Sequence, residues 1–171
     1  MTKYISNAQN FEDIYLFRAY SRVKSMFGNK ISALETIVDI GAWEPVADNV
    51  SCFFIEMGWE AILIEPQLHY FQKLTNHYKK YHGVKVIHAA VSRESGTASL
   101  FVPEITTGWG SLSKNHSQKM RETIEIEQVT MLTLDDIHLD LGDTYFVLKV
   151  DAEGSESSIL EGGNPTMLVL F

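Results

Sequence analysis

The sequence has little of what would indicate a secreted or membrane-embedded protein. Its single cysteine, Cys52, cannot form an internal disulfide, and we expect it to be a small buried residue. No stretch reaches the roughly 18 consecutive apolar residues of a membrane-spanning helix, and the first residues, MTKYISNAQNFED, lack the apolar core of a signal peptide. We therefore expect a soluble, cytoplasmic protein without a membrane partner.

Basic residues are also scarce. The 14 lysines and arginines are outnumbered by 22 acidic residues, which gives a formal net charge of −8. No basic stripe could neutralise a phosphate backbone, so we expect no nucleic-acid partner. The 6 histidines do not cluster at metal-ligand spacing, so we expect no metal site.

The pattern of apolar residues in the first half alternates between strands and helices. An amphipathic helix covering roughly residues 10 to 27 comes first. Short β-branched runs bounded by glycine or turn residues then alternate with segments of helical spacing, and these strands are predicted at residues 37–40, 61–65 and 84–91. The order strand, helix, strand, helix, strand predicts a mostly parallel sheet with helices on both faces.

The pattern changes in the second half. Residues 97–102 and 124–129 predict an added β pair, separated by the polar, aperiodic segment 103–121. An apolar strand at 145–150, a turn with a helix in DAEGSESSILEGG, and a last strand in MLVLF follow. We predict a single α/β domain over residues 1–171, with an N-terminal helical segment at 1–30 and a Rossmann-like core at 31–171.

Gly41 and Glu65 stand at the ends of two successive predicted strands. In doubly wound sheets ligands bind at the carboxyl ends of the strands, where a glycine admits a close ligand and an acid about 20 residues later accepts ribose hydroxyls. Together they predict a nucleoside site, although alone Gly41 is compatible with an ordinary turn and Glu65 with a solvated charge.

The turn itself argues against a dinucleotide. Gly41-Ala42-Trp43-Glu44 has one glycine, a bulky indole and a carboxylate, whereas a pyrophosphate site uses G-x-G-x-x-G. Asp39 and Glu44 could instead face an ammonium or sulfonium, which favours S-adenosylmethionine. Asp39 could equally bind backbone amides, and Trp43 could simply pack on the turn.

With these motifs the chain resembles FkbM-family methyltransferases, which have a class I S-adenosylmethionine-dependent fold. The residues that carry the resemblance are AQNFEDIYLFRA, VDIGAWEPVADNVSCFFIEMGWEAILIEP, HAAVSRESGTASL, TLDDI and LKVDAEGSESSILEGG. The resemblance implies that Asp39, Gly41 and Ala42 line the methionine arm of the cofactor, beside Trp43. It also implies that Glu65 holds the ribose and that Ala89, Ala90 and Val91 border the adenine.

The resemblance places the motif Asp151-Ala152-Glu153-Gly154 beside the transferring methyl group. Asp151 or Glu153 is then the catalytic base or acceptor anchor, because methyl transfer to oxygen requires removal of the acceptor proton. The alternative is that Asp151 or Ser155 caps the following helix.

Further acceptor contacts are weaker candidates. A second matching motif places Glu12 or Asp13 near the same pocket, and capping of a helix is the alternative there. Trp109 and His116, both in the aperiodic segment, are candidates for contact with the acceptor. For Trp109, packing on the sheet is an equally good interpretation.

The sequence departs from the resemblance at its end. Class I sheets continue past the fifth strand, but this chain stops at PTMLVLF and is predicted to be C-terminally shortened. The apolar strand at 167–171 would then be an unprotected edge, which predicts a homodimer through that edge.

We predict an S-adenosylmethionine-dependent methyltransferase acting on a hydroxyl of a small-molecule acceptor such as a carbohydrate. One alternative is a shortened cofactor-binding module, weak or inactive in catalysis, that needs a partner chain. A nicotinamide oxidoreductase would share Glu65 but is disfavoured by the one-glycine turn.

Overall fold

The computed structural model describes residues 5–27, 35–103, 111–112, 124–141, 146–152 and 154–163. The helices are α1 (Glu12–Phe27), α2 (Val50–Glu56), α3 (Leu68–Tyr78), α4 (Leu134–Leu141) and α5 (Glu156–Glu161). The strands are β1 (Thr36–Ile40), β2 (Glu60–Ile64), β3 (Val84–Ile87), β4 (Ala90–Val91), β5 (Gly96–Pro103), β6 (Ile124–Leu132) and β7 (Val147–Val150).

Four strands form a parallel sheet in the order β3-β2-β1-β7. Strand β1 is buried at every position, as expected for a central parallel strand covered on both faces. The chain runs outward from β1 to β2 and β3 on one side and returns to β7 on the other, so the order reverses at β1. Open α/β sheets bind ligands at such a reversal.

Two helical layers cover this sheet. Side chains alternate along β1, so that Ile37 packs into a cluster with α1, α2 and α3, while Val38 packs into a cluster with α4 and α5. The predicted α/β fold, mostly parallel and Rossmann-like with helices on both faces, is confirmed.

The predicted β pair forms a second sheet with the order β4-β6-β5. Strands β5 and β6 pair antiparallel from Gly96 opposite Met131 to Pro103 opposite Ile124. Glu127 of β6 accepts a hydrogen bond from the backbone N–H of Leu68 at 3.2 Å, which joins this sheet to the start of α3.

The prediction of one strand over residues 84–91 was wrong. The segment divides into β3, which pairs with β2, and β4, which pairs with β6 in the other sheet. His88 lies at the break, where its Nε2 is 2.9 Å from the Pro66 carbonyl oxygen and its ring stacks on Phe71. The contact therefore lies where the chain leaves the first sheet.

Two further expectations concern the C-terminal strand and membrane-spanning helices. The predicted last strand, with the edge at residues 167–171 and its proposed dimer contact, lies outside the described residues. None of the helices in the described ranges combines the length and apolar character needed to cross a membrane.

Candidate functional site

A cavity of about 210 Å³ lies at the carboxyl ends of β1 and β2. Its walls include Gly41, Trp43, Glu65 and Asp151, which come from three separate strand ends. The sheet brings them together because β1 pairs with β2 on one side and with β7 on the other.

Gly41 is required by the way β1 and β7 end. Its φ is +79°, and a Cβ built there would lie 1.9 Å from the carbonyl oxygen of Asp151. The amide of Asp151 donates to the Ile40 carbonyl at 3.0 Å, which holds the two strand ends this close. Only a residue without a side chain fits this crossing.

Trp43 is the bulky residue of the turn, and its backbone is in the left-handed region at φ +52°. This conformation directs its N–H to Glu65 Oε2 at 2.9 Å. Its ring lies 5.9 Å from that of Tyr70, which agrees with the packing role considered for it. The indole N–H is buried and has no hydrogen-bond partner among the described residues.

Asn49 supports the turn from behind and was not identified from the sequence. Its side-chain Nδ2 donates to the carbonyls of Ala42 at 2.9 Å and Glu44 at 2.7 Å. Its Oδ1 accepts from the N–H of Cys52 at 2.7 Å, which caps α2. The signal was available, because an asparagine directly before an apolar helical run is a typical N-cap.

Glu65 is the buried acid of the site. Only 2% of its surface is exposed, and its two oxygens accept from the backbone N–H groups of Trp43 and Gln67, both at 2.9 Å. Burial raises its pKa to about 7, since desolvation outweighs these two hydrogen bonds and the charge of Lys149. Because Glu65 lines the cavity, its carboxylate can also accept hydrogen bonds from ligand hydroxyls.

Asp39 was expected to line the methionine arm of the cofactor, but it is not among the residues that line the cavity. It is fully buried, Lys149 Nζ lies 2.9 Å from its Oδ1, and Ser51 Oγ donates to its Oδ2 at 2.5 Å. The other acid considered for a cofactor cation, Glu44, is paired with Lys73 at 2.5 Å. Each carboxylate is paired with a lysine, because β7 carries Lys149 next to Asp39 and α3 carries Lys73 next to Glu44.

Another wall of the cavity is apolar and comes mainly from the second sheet. The three residues predicted to border the adenine, Ala89, Ala90 and Val91, line it, and they are joined by Leu100 of β5 and by Leu112. Ala42, by contrast, is packed in the core under the turn. The wall has no charged side chain among these five lining residues, which suits a flat aromatic base.

Asp151 projects at the mouth of the cavity, with 67% of its side chain exposed. The turn before α5 is held by Glu156, the first residue of the helix, whose Oε1 accepts from the N–H groups of Ala152 and Gly154, each at 3.1 Å. Ser155 makes no side-chain capping bond. Glu153, the other predicted catalytic residue, lies outside the described residues.

Comparison with known proteins gives one match. Residues 39–168 match the family described as the methyltransferase FkbM domain. The chain belongs to the FkbM methyltransferase family. No curated protein and no solved structure matches it. The matched range contains Gly41, Glu65 and Asp151, so every strand end that forms the cavity belongs to the FkbM domain.

The N-terminal acids lie outside the cavity wall of this FkbM domain. Asp13 is fully buried and accepts hydrogen bonds from Ser6 Oγ at 2.7 Å and from the N–H of Asn7 at 2.9 Å. Glu12 accepts two bonds from Asn10, both at 2.9 Å. These contacts fit the helix-entry alternative, and the side chain of this segment that lines the cavity is Gln9.

The remaining candidates for acceptor contact come from the aperiodic segment 103–121. Trp109 and His116 lie outside the described residues. Within the described ranges, no group of three or more histidine, cysteine, aspartate or glutamate side chains could hold a metal ion.

Proposed function

We propose that this FkbM methyltransferase uses S-adenosylmethionine and transfers its methyl group to a hydroxyl of a small polar metabolite such as a carbohydrate. Membership of the family makes the chain a methyltransferase. The observation that carries the choice of cofactor is Glu65, a carboxylate 2% exposed that lines a cavity at the reversal point of the sheet. Burying an acid costs free energy unless its oxygens are hydrogen-bonded, and a bound ribose would add to the two backbone hydrogen bonds that Glu65 accepts.

The residues present fit the nucleoside part of S-adenosylmethionine. Glu65 supplies acceptors for two ribose hydroxyls, and the apolar wall that includes Ala89, Val91 and Leu100 suits the adenine. Gly41 lines the same cavity and allows the end of β1 to approach the backbone of Asp151.

The acidic rim suits the cationic end of the same cofactor. Asp48 and Asp151 both line the cavity. Among the described residues, neither carboxylate forms an ion pair with a separation shorter than the 3.9 Å between Asp151 and Lys149. A positively charged sulfonium or ammonium is stabilised by such a rim, whereas a pyrophosphate would be repelled. When bound, S-adenosylmethionine supplies an electrophilic methyl group.

Among the described residues, Asp151 is the best placed to act on the acceptor. It lines the cavity with a side chain that is 67% exposed, and this carboxylate can hold a hydroxyl by a hydrogen bond and take the proton as the new oxygen–carbon bond forms. A hydroxyl acceptor suits this geometry, because one carboxylate provides both orientation and proton removal.

Calorimetric titration with S-adenosylhomocysteine and NAD in parallel tests the cofactor. We expect S-adenosylhomocysteine to bind and NAD not to bind, since the turn has one glycine and an acidic rim. Tight binding of NAD alone would refute the proposal.

A screen of sugars and glycosides with S-adenosylmethionine, read by formation of S-adenosylhomocysteine, tests the acceptor. Products should carry the methyl group on oxygen by mass spectrometry and NMR. Methylation confined to nitrogen or carbon acceptors would contradict the hydroxyl assignment.

A further inference from the structure

Lys149 is a largely buried cation beneath the cavity, and the proposed function assigns it no role. Its side chain is 18% exposed, and it is the strand neighbour of Asp39, which is fully buried. A buried ion pair needs additional hydrogen bonds to compensate for the loss of water. Lys149 has two more donors than its pairing with Asp39 requires.

One of these donors reaches the turn. Lys149 Nζ donates to the carbonyl oxygen of Gly41 at 2.8 Å, while it lies 2.9 Å from Asp39 and 3.9 Å from Asp151. A single ammonium therefore contacts the turn after β1 and approaches the acid after β7. Both of these segments line the cavity.

The contact fixes the orientation of one peptide group. The Gly41 Cα packs on the Asp151 carbonyl from one side, and the Gly41 carbonyl is held by Lys149. Two residues further on, the N–H of Trp43 points to Glu65. Rotation of the Gly41–Ala42 peptide would break the bond from the Ala42 N–H to the Ile64 carbonyl, which is 3.2 Å long, and would disturb the turn that directs the Trp43 N–H to Glu65.

We propose that Lys149 is a positioning residue that holds the Gly41 turn in its ligand-binding conformation through the hydrogen bond to the Gly41 carbonyl. It acts on the cofactor through the turn and does not line the cavity itself. The inference takes its ligand from the proposed function, but its effect on the turn can be measured without any ligand.

The competing explanation is that Lys149 only neutralises Asp39. Lys149→Met alone cannot separate the two, because it leaves a buried carboxylate unpaired and should lower the melting temperature by roughly 10 °C. The comparison must be made where the carboxylate is already neutral. Asp39→Asn provides that background, since asparagine can still accept the hydrogen bond from Ser51.

The experiment compares Asp39→Asn with Asp39→Asn/Lys149→Met. Each protein is checked by thermal denaturation and labelled for NMR, and the carbonyl ¹³C shift of Gly41 is read through the amide of Ala42. Binding of S-adenosylhomocysteine is then measured by calorimetry. Lys73→Met is the matched control. Lys73 contacts the same turn, but it binds the side-chain carboxylate of Glu44, whereas Lys149 binds the backbone carbonyl of Gly41.

We expect the Gly41 carbonyl shift to be retained in Asp39→Asn and Lys73→Met and to move upfield in the double variant. Affinity for S-adenosylhomocysteine should fall about tenfold from Asp39→Asn to the double variant, which is the worth of one charge-assisted hydrogen bond. An unchanged carbonyl shift or equal affinities in these two folded proteins would overturn the proposal. If the unmodified protein binds no S-adenosylhomocysteine, the proposed function fails, and the carbonyl shift still decides the role of Lys149.

Discussion

The affinity for S-adenosylhomocysteine should depend on pH through Glu65. Burial raises the pKa of this carboxyl to about 7, and ribose hydroxyls donate to the ionised form. If binding requires the carboxylate, the fraction of competent protein is about nine tenths at pH 8 and about one tenth at pH 6. Affinity should therefore fall about tenfold over this range, and binding at pH 7 should release about half a proton per site on average.

Calorimetry in buffers of different ionisation enthalpy measures both effects. Glu65→Gln is the control, because histidines of the chain also titrate in this range. At pH 8 this variant should lose about 1–3 kcal/mol of binding free energy, since two hydroxyls lose a charged acceptor. The gap to the unmodified protein should close by about 1.4 kcal/mol at pH 6. Parallel pH profiles for the two proteins would refute the reasoning.

The same carboxyl affects stability with a definite sign. Its pKa in the folded protein lies above the ordinary value of 4.5, so the folded state binds the proton more tightly than the unfolded state. Its contribution to the free energy of unfolding is then largest below about pH 4.5 and is lost as pH rises through 7. Between pH 8 and pH 6 the ligand-free protein should gain about 1 kcal/mol from this group, which thermal denaturation of both proteins can separate from other titrations.

Three further predictions concern the turn and the acid at the cavity mouth. Gly41→Ala should abolish S-adenosylhomocysteine binding and lower the melting temperature, because its Cβ would meet the backbone of Asp151 at 1.9 Å; unchanged binding by calorimetry would exclude this crossing. Asn49→Ala should cost roughly 2–3 kcal/mol in denaturant unfolding, since a helix cap and two carbonyl bonds are lost together, and a cost below about 0.5 kcal/mol would contradict that account. Asp151→Asn should keep S-adenosylhomocysteine affinity within a few fold while turnover falls by about 10²–10⁴, and full turnover would remove Asp151 from the chemistry.

The sequence predicted the parallel sheet well because its strands are short and mostly apolar. Runs such as Ile37–Ile40 have few ways to be buried other than as central strands, and the glycine that follows marks where the strand ends. The division of residues 84–91 between two sheets could not be predicted. At the break His88 contacts the Pro66 carbonyl, and a contact between residues 22 positions apart is not visible in the local pattern of the sequence.

The candidate site shows a similar limit. Gly41 and Glu65 could be predicted because each is identified by its place at a strand end. The role of Asp39 could not be predicted, since a carboxylate near the end of a strand looks the same in sequence whether it meets a ligand or a lysine from β7. Strand order decides between the two, and the strand that carries Lys149 lies about 110 positions away.

The backbone of the turn is already hydrogen-bonded throughout most of its length. The N–H groups of Gly41 and Ala42 donate to the Ile64 carbonyl, that of Trp43 donates to Glu65, and the carbonyls of Gly41 and Ala42 accept from side chains. Ordering a residue costs roughly 1–2 kcal/mol of conformational entropy, and here that cost is met when the chain folds. A ligand then meets a surface with little freedom left to lose, so its contacts count almost fully toward affinity.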